Sequence, residues 1–159
     1  MLRHRCQGQF LLLQDLFCMF LLSKMEENSK ILIAADNELF YPSCITYFEG
    51  LGISVEHKDD GLAALNCVKT EKYEFIIAET QLAYLGGLHL CKIVKSDSRF
   101  KHIPFVLVLE SGDSQEMLNA RRVQADYSLT MPVDLDILRD NVINLLYNQK
   151  EKEGVADAT

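Results

Sequence analysis

The stretch Glu74–Gly87, EFIIAETQLAYLGG, decides how this chain is read. It opens on an apolar run, Phe75-Ile76-Ile77-Ala78, meets one carboxylate at Glu79, and breaks into a loop closed by Gly86-Gly87. A short apolar run of this kind suits a strand buried on both faces, as in a parallel sheet. The acid then falls where the strand ends. In open α/β sheets, ligand chemistry gathers at the carboxyl ends of the strands. A lone Glu at such a place is more often a solvated strand-end acid, and the functional reading gains weight only when a second acid converges on it.

Working outward, two further apolar runs resemble the first: Lys30–Ala34 (KILIA) and Phe105–Leu109 (FVLVL), the latter opened by Pro104. Ile53–His57 alternates apolar and polar residues, which suits a half-exposed edge strand. Asp126–Leu129 is a short fifth strand, broken by Met131-Pro132. Helical spacing fills the gaps. Asp36-Asn37 is an N-cap pair for a first helix running to about Gly50, with Phe40, Cys44, Phe48 and Leu51 on one face. Leu62, Leu65 and Val68 mark the second helix, and Leu88, Cys91 and Val94 the third. A fourth helix runs from Ser114 to about Arg122. A fifth is capped by Asp134 and faces inward with Leu135, Leu138, Val142 and Leu145.

Five strands alternating with five helices predict an α/β fold, a (βα)5 doubly wound parallel sheet with right-handed crossovers. The strongly apolar runs belong at its centre, which gives the strand order 2-1-3-4-5. The switch point then lies between strands one and three, so Asp36 and Glu79 come together at the carboxyl edge.

A chain of 159 residues is long enough for one domain with a real core. We place that domain at residues 25–148, with a polar tail at 149–159 expected to fray. Residues 1–24 stand apart: two Arg and a His precede the apolar run Phe10–Leu22. That run is shorter than the roughly 20 residues that span a bilayer. No small-residue cleavage site follows it. It reads first as an over-extended start before Met25, then as a peripheral amphipathic helix, and last as an export signal. A net charge of −7 with a pI near 5.1 argues against a nucleic-acid partner. Five cysteines, with no CxxC pair and no zinc spacing, fit a reduced, cytoplasmic protein without an integral membrane segment.

With this order of elements in place, the chain resembles a bacterial response-regulator receiver domain, the CheY-like branch of the flavodoxin-like folds. The motifs that carry the likeness are ILIAADNE, EHKDDGLAAL, EFIIAETQLAYLGGLHLCK, HIPFVLVLESG and QADYSLTMPVDLDIL. They cover Lys30 to about Asn148 in the family's order and spacing. The resemblance implies a phosphorelay role. Two acids after strand one and an aspartate after strand three hold Mg²⁺, and that aspartate takes a phosphoryl group from a histidine kinase. A hydroxyl ending strand four and a Lys before Pro bind the phosphoryl oxygens, and an aromatic on strand five relays the signal.

This chain departs from the pattern at most of those positions. Ala35 stands at the first acid, leaving Asp36 alone; Glu79 stands at the acceptor; Leu109 at the hydroxyl; Met131 at the Lys; Ser128 at the aromatic, with Tyr127 on the opposite face of the strand. Gln81 would supply a backbone carbonyl as third metal ligand. The acidic pocket is therefore Asp36, Glu79 and Gln81, with Mg²⁺ held weakly by Asp36 and Glu79 or not at all, and no other cofactor. The extra methylene of Glu79 displaces its oxygen by about an ångström, which can cost about 10²-fold in rate. Met131 removes the cation that would neutralise the phosphoryl group. The Met131-Pro132 bond is expected to be cis, as it is in the family.

Three functional readings follow. The first is a non-enzymatic pseudo-receiver in two-component signalling. It docks a protein partner, a histidine kinase or another regulator, or pairs with itself through helix four, strand five and helix five. The second is a receiver still accepting a phosphoryl group at Glu79 or Asp36. The third, a nucleotide- or flavin-binding enzyme, lacks a Gly-rich phosphate loop, since Ala34-Ala35-Asp36-Asn37 offers no glycine.

Overall fold

The structure is a computed structural model that describes residue 16 and residues 29–156. The proposed leader at 1–24 lies outside the described residues, Leu16 apart. Five strands, β1 (Lys30–Ala34), β2 (Ser54–Lys58), β3 (Ile76–Glu79), β4 (Phe105–Leu109) and β5 (Tyr127–Thr130), alternate with five helices. The helices are α1 (Tyr41–Gly50), α2 (Gly61–Thr70), α3 (Gly87–Ser96), α4 (Ser114–Arg122) and α5 (Leu135–Ala156). All strand pairs are parallel and the sheet order is β2-β1-β3-β4-β5.

Two apolar layers explain the unbroken hydrophobic runs. Ile31, Ile33, Ile77, Val106 and Val108 point to one side, where Cys44 and Phe48 of α1 and Leu138 and Val142 of α5 close over them. Leu32, Ala34, Ile76, Ala78, Phe105, Leu107 and Leu109 point to the other, against Ala64, Leu65 and Val68 of α2, Leu90, Cys91 and Val94 of α3, and Ala120 of α4. Successive side chains on a strand face opposite ways, so a strand covered on both faces must be apolar at every position. The outer strands are only partly buried, which is why β2 keeps its polar alternation.

Three local expectations are corrected. Helix α1 begins at Tyr41, several residues after Asp36-Asn37. Asn37 instead builds a turn: its Oδ1 accepts from the Leu39 amide at 2.9 Å and its carbonyl takes the Phe40 and Tyr41 amides. Pro42, with its fixed φ, then opens the helix. Leu62, Leu65 and Val68 do lie on α2; Leu62 is 50% exposed there, and Ala64 joins Leu65 and Val68 on the buried face. Strand β2 runs one residue later than expected, from Ser54 to Lys58, and β5 likewise from Tyr127 to Thr130. Lastly, the segment taken as a fraying tail continues α5 as far as Ala156. Its Gln, Lys and Glu residues are good helix formers, and the Gln149 amide group donates to the His102 carbonyl.

Two glycines allow the loops at the carboxyl edge to close. A Cβ at Gly61 would lie 1.7 Å from the Leu85 carbonyl oxygen, and one at Gly87 would lie 1.9 Å from that of Glu79. Helix α3 therefore starts directly against the end of β3. Gly87→Ala should lower stability by about 1–3 kcal/mol through this backbone clash, read as a reduced urea midpoint. Gly50→Ala, where nothing lies within 4 Å, should leave the midpoint unchanged or slightly raised.

Candidate functional site

The parallel register sets Ala34 beside Ala78, so the residues following β1 meet the last residue of β3. There the Glu79 side chain, 7% exposed, bends toward the β1–α1 loop. Its Oε2 accepts from the amide of Asp36 at 3.0 Å and from that of Asn37 at 3.2 Å. Its Oε1 is buried and has no hydrogen-bond partner among the described residues. Burial is the main influence on this carboxyl and pushes its pKa above the usual glutamate range. The two amides oppose that shift, and the charge of Asp36 adds to it.

A cleft of about 230 Å³ opens at this point. Asp36, Asn37, Glu79, Thr80, Gln81, Val108, Glu110 and Met131 line it. Four positions singled out in the sequence thus converge: Asp36, Glu79, Gln81 and Met131. Three others do not line the cleft. Ala35 is fully buried in the α1/α5 layer. Leu109 belongs to the opposite apolar layer, so its side chain is core rather than wall. Ser128 pairs with Leu107 on β4, while Tyr127, one residue earlier, packs into the α1/α5 layer. Next to Ala35, the His57 ring nitrogen Nε2 sits 2.7 Å from the Ala35 carbonyl oxygen, and the ring stacks on Tyr41 with centroids 4.1 Å apart. The Met131-Pro132 peptide is cis.

The sequence reading missed a further carboxylate of this edge, beyond Asp36 and Glu79. Glu116 in the first turn of α4 folds back over the β4–α4 loop. Its Oε1 accepts from Thr80 Oγ1 and the Glu110 amide, each at 2.9 Å. Its Oε2 accepts from the amides of Ser111 (3.0 Å) and Gly112 (2.9 Å) and from Ser111 Oγ (3.1 Å). Burial alone would raise its pKa, but the donors at Glu110, Gly112, Thr80 and Ser111 outweigh it and hold the carboxyl at about 2. The legible signal was the capping spacing Asp113-x-x-Glu116: Asp113 Oδ1 accepts the Glu116 amide at 2.8 Å, but the Glu116 carboxylate reaches past the Asp113 amide to those of Glu110, Ser111 and Gly112.

Glu79 should therefore titrate above, and Glu116 below, an ordinary glutamate. The sign for Glu79 follows from linkage. Between the unfolded pKa near 4.5 and the raised folded value, the folded state holds more protons, so stability falls as pH rises through that window. Glu79→Gln removes the buried charge while its remaining oxygen keeps the Asp36 and Asn37 amides and its NH2 takes the place of the unpartnered Oε1. The variant should be more stable than the parent at neutral pH by about 1 kcal/mol, roughly 3 °C in melting temperature. The gain should shrink as pH falls toward 4, which thermal melts across pH would show.

Comparison with known proteins agrees with this geometry. The family described as response regulator receiver domain matches residues 31–143. Chemotaxis protein CheY-3 of Vibrio cholerae is 22% identical over 119 residues, covering 74% of this chain and 92% of that protein. Hybrid signal transduction histidine kinase G of Dictyostelium discoideum is 32% identical over 116 residues, covering 71% of this chain but 3% of that protein. Among solved structures, the receiver domain of Francisella response regulator 1452 superposes with a TM-score of 0.69 at 26% identity, covering 76% of this chain and 98% of that one. A CheY-like receiver protein from Methanospirillum hungatei gives a TM-score of 0.72 at 18% identity, covering 78% and 98%. The parallel fold, with its sheet in the order 2-1-3-4-5, is thus shared with these solved structures, and the chain belongs to the response-regulator receiver family, the signalling modules of two-component systems.

Proposed function

We propose that this receiver domain signals through protein contacts and does not depend on a phosphoryl group at Glu79. The observation that carries this reading is the state of Glu79 itself. Its carboxylate is buried and bonded to the β1–α1 backbone, in a cleft that, among the described residues, no Lys, Arg or His lines. A phosphoryl group brings about two negative charges, and its transfer relies on cations and donors placed around it. Here Met131 stands where the resemblance puts the Lys, and Leu109, where it puts the hydroxyl, is core. Ala35 and Ser128 likewise replace the first acid and the relaying aromatic.

The residues present are a poor fit for Mg²⁺. Its carboxylate donors would be Asp36 and Glu79, with the Gln81 carbonyl. Glu79 Oε2 already serves two amides, and no three His, Cys, Asp or Glu side chains among the described residues converge as metal ligands.

The partners that suit this reading are a histidine kinase or another regulator, in the cytoplasm. Among the described residues no helix is long and apolar enough to cross a membrane. Met117 and Leu118 on α4 and Ile137 on α5 are exposed apolar side chains that could anchor such a partner or a second copy through the α4–β5–α5 face. If a second copy binds there, sedimentation should show a dimer that Leu118→Glu dissociates while the fold is retained.

The decisive experiment is incubation with acetyl phosphate and Mg²⁺ followed by intact-mass spectrometry. We expect no phosphoryl adduct. An adduct that disappears in Glu79→Ala would establish the rival reading, a receiver that still accepts phosphoryl at this position.

A further inference from the structure

Three successive amides, those of Glu110, Ser111 and Gly112, point toward a single carboxylate, that of Glu116. Consecutive N–H groups arranged in this way form an anion-binding concavity. In this chain the concavity is filled from within. Two hydroxyls complete the shell, Ser111 Oγ and Thr80 Oγ1, so five donors share two oxygens. Hydrogen bonds to an ionised acceptor are roughly twice as strong as neutral ones.

The attachments reach beyond the loop. Thr80 is buried and directly follows Glu79, and its amide donates to the Val108 carbonyl at 3.0 Å. The Thr80–Glu116 bond therefore ties the start of α4 to the end of β3. On the other side, Gly112 adopts φ +65° with its Cα against Thr130; a Cβ there would lie 2.4 Å from Thr130 Oγ1. The loop is held between the ends of β3 and β5. Leu109, the residue just before it, is locked in the core.

We propose that Glu116 is an internal anionic staple that fixes the β4–α4 loop, and with it the first turn of α4, in one conformation whatever the acidic cleft holds. The loop's donors are already saturated, so a new anion in the cleft has none of them to recruit. A ligand moves a two-state element only by contacting its two states differently, and the staple removes those contacts. The exposed α4 residues Met117 and Leu118 are then presented in a constant arrangement. The proposal stands apart from the question of whether Glu79 takes a phosphoryl group.

Hydrogen exchange at single amides tests it. In the parent protein the amides of Glu110, Ser111 and Gly112 should exchange slowly, and at the same rate with and without acetyl phosphate and Mg²⁺. In Glu116→Gln they should exchange about 10–100-fold faster, while core amides such as Ile77 and Leu107 keep their rates. Thr80→Val, which deletes one donor and keeps the anion, should give a smaller acceleration and serves if Glu116→Gln folds poorly. In Glu116→Ala, added formate should refill the vacated concavity and restore part of the protection, which chloride at equal ionic strength should not. Parent-like loop exchange in Glu116→Gln, or loop exchange in the parent that speeds up with acetyl phosphate, would overturn the staple. A phosphoryl adduct by mass with unchanged loop exchange would overturn the proposed function and leave the staple standing.

Discussion

A strand covered on both faces has no position along its length that tolerates a charge, and β1, β3 and β4 are all covered in this way. Polar chemistry is thereby confined to the strand ends. Among the described residues the buried polar or charged side chains are Ser29, Glu79 and Thr80: one just before β1, two at the end of β3. The same constraint explains why the strand residue Val108 lining the cleft is apolar. Helix α3 begins against the Glu79 carbonyl, where only Gly87 fits, so the loops of the carboxyl edge are drawn in close enough for backbone amides to reach side-chain carboxylates.

Two glutamates at this edge meet that environment with opposite results. Glu116 has five donors for two oxygens, and its ionised form is favoured despite partial burial. Glu79 has two donors on one oxygen and none on the other, and burial wins. The two differ in burial as well as in the number of hydrogen bonds, and the charge of Asp36 adds to the shift on Glu79. An ionised carboxyl is worth burying only when its lone pairs are answered. The β4–α4 loop answers those of Glu116 almost completely, whereas the β1–α1 loop answers only half of those on Glu79.

Much of the fold was legible because it rests on strand-period burial. The three apolar runs, the two weaker edge strands and the sheet order follow from which residues can sit on a doubly covered sheet. The meeting of Asp36 and Glu79 was also legible, since topology sets the ends of β1 and β3 side by side, whereas Gln81 and Met131 were placed by the family resemblance. What escaped was local competition. Asn37 could cap a helix or make a turn, and spacing does not choose between them; Pro42 settles it by starting α1 later. Leu62 fits the helical period, yet Ala64 is the residue close enough to the sheet to be buried. Glu116 looks like an ordinary first-turn acid, and only the folded loop shows that three amides precede it in the right curvature. Asp113 three residues earlier was the available hint.

The reach of the Glu79 side chain and the small apolar residue Ala35 belong together physically. A carboxylate at the end of β3 that reaches the Asp36 and Asn37 amides must cross toward the end of β1. A second carboxylate at position 35 would set like charges in a buried space, and Ala35 is fully enclosed in the α1/α5 layer. With Ala35 there, the backbone of the β1–α1 loop is free to serve as the ligand of Glu79. Met131 closes the cleft with an apolar side chain, which suits a carboxyl whose ionised form is disfavoured. Each of these residues lowers the cost of the others, and the backbone donors of this edge are spent on the chain's own glutamates.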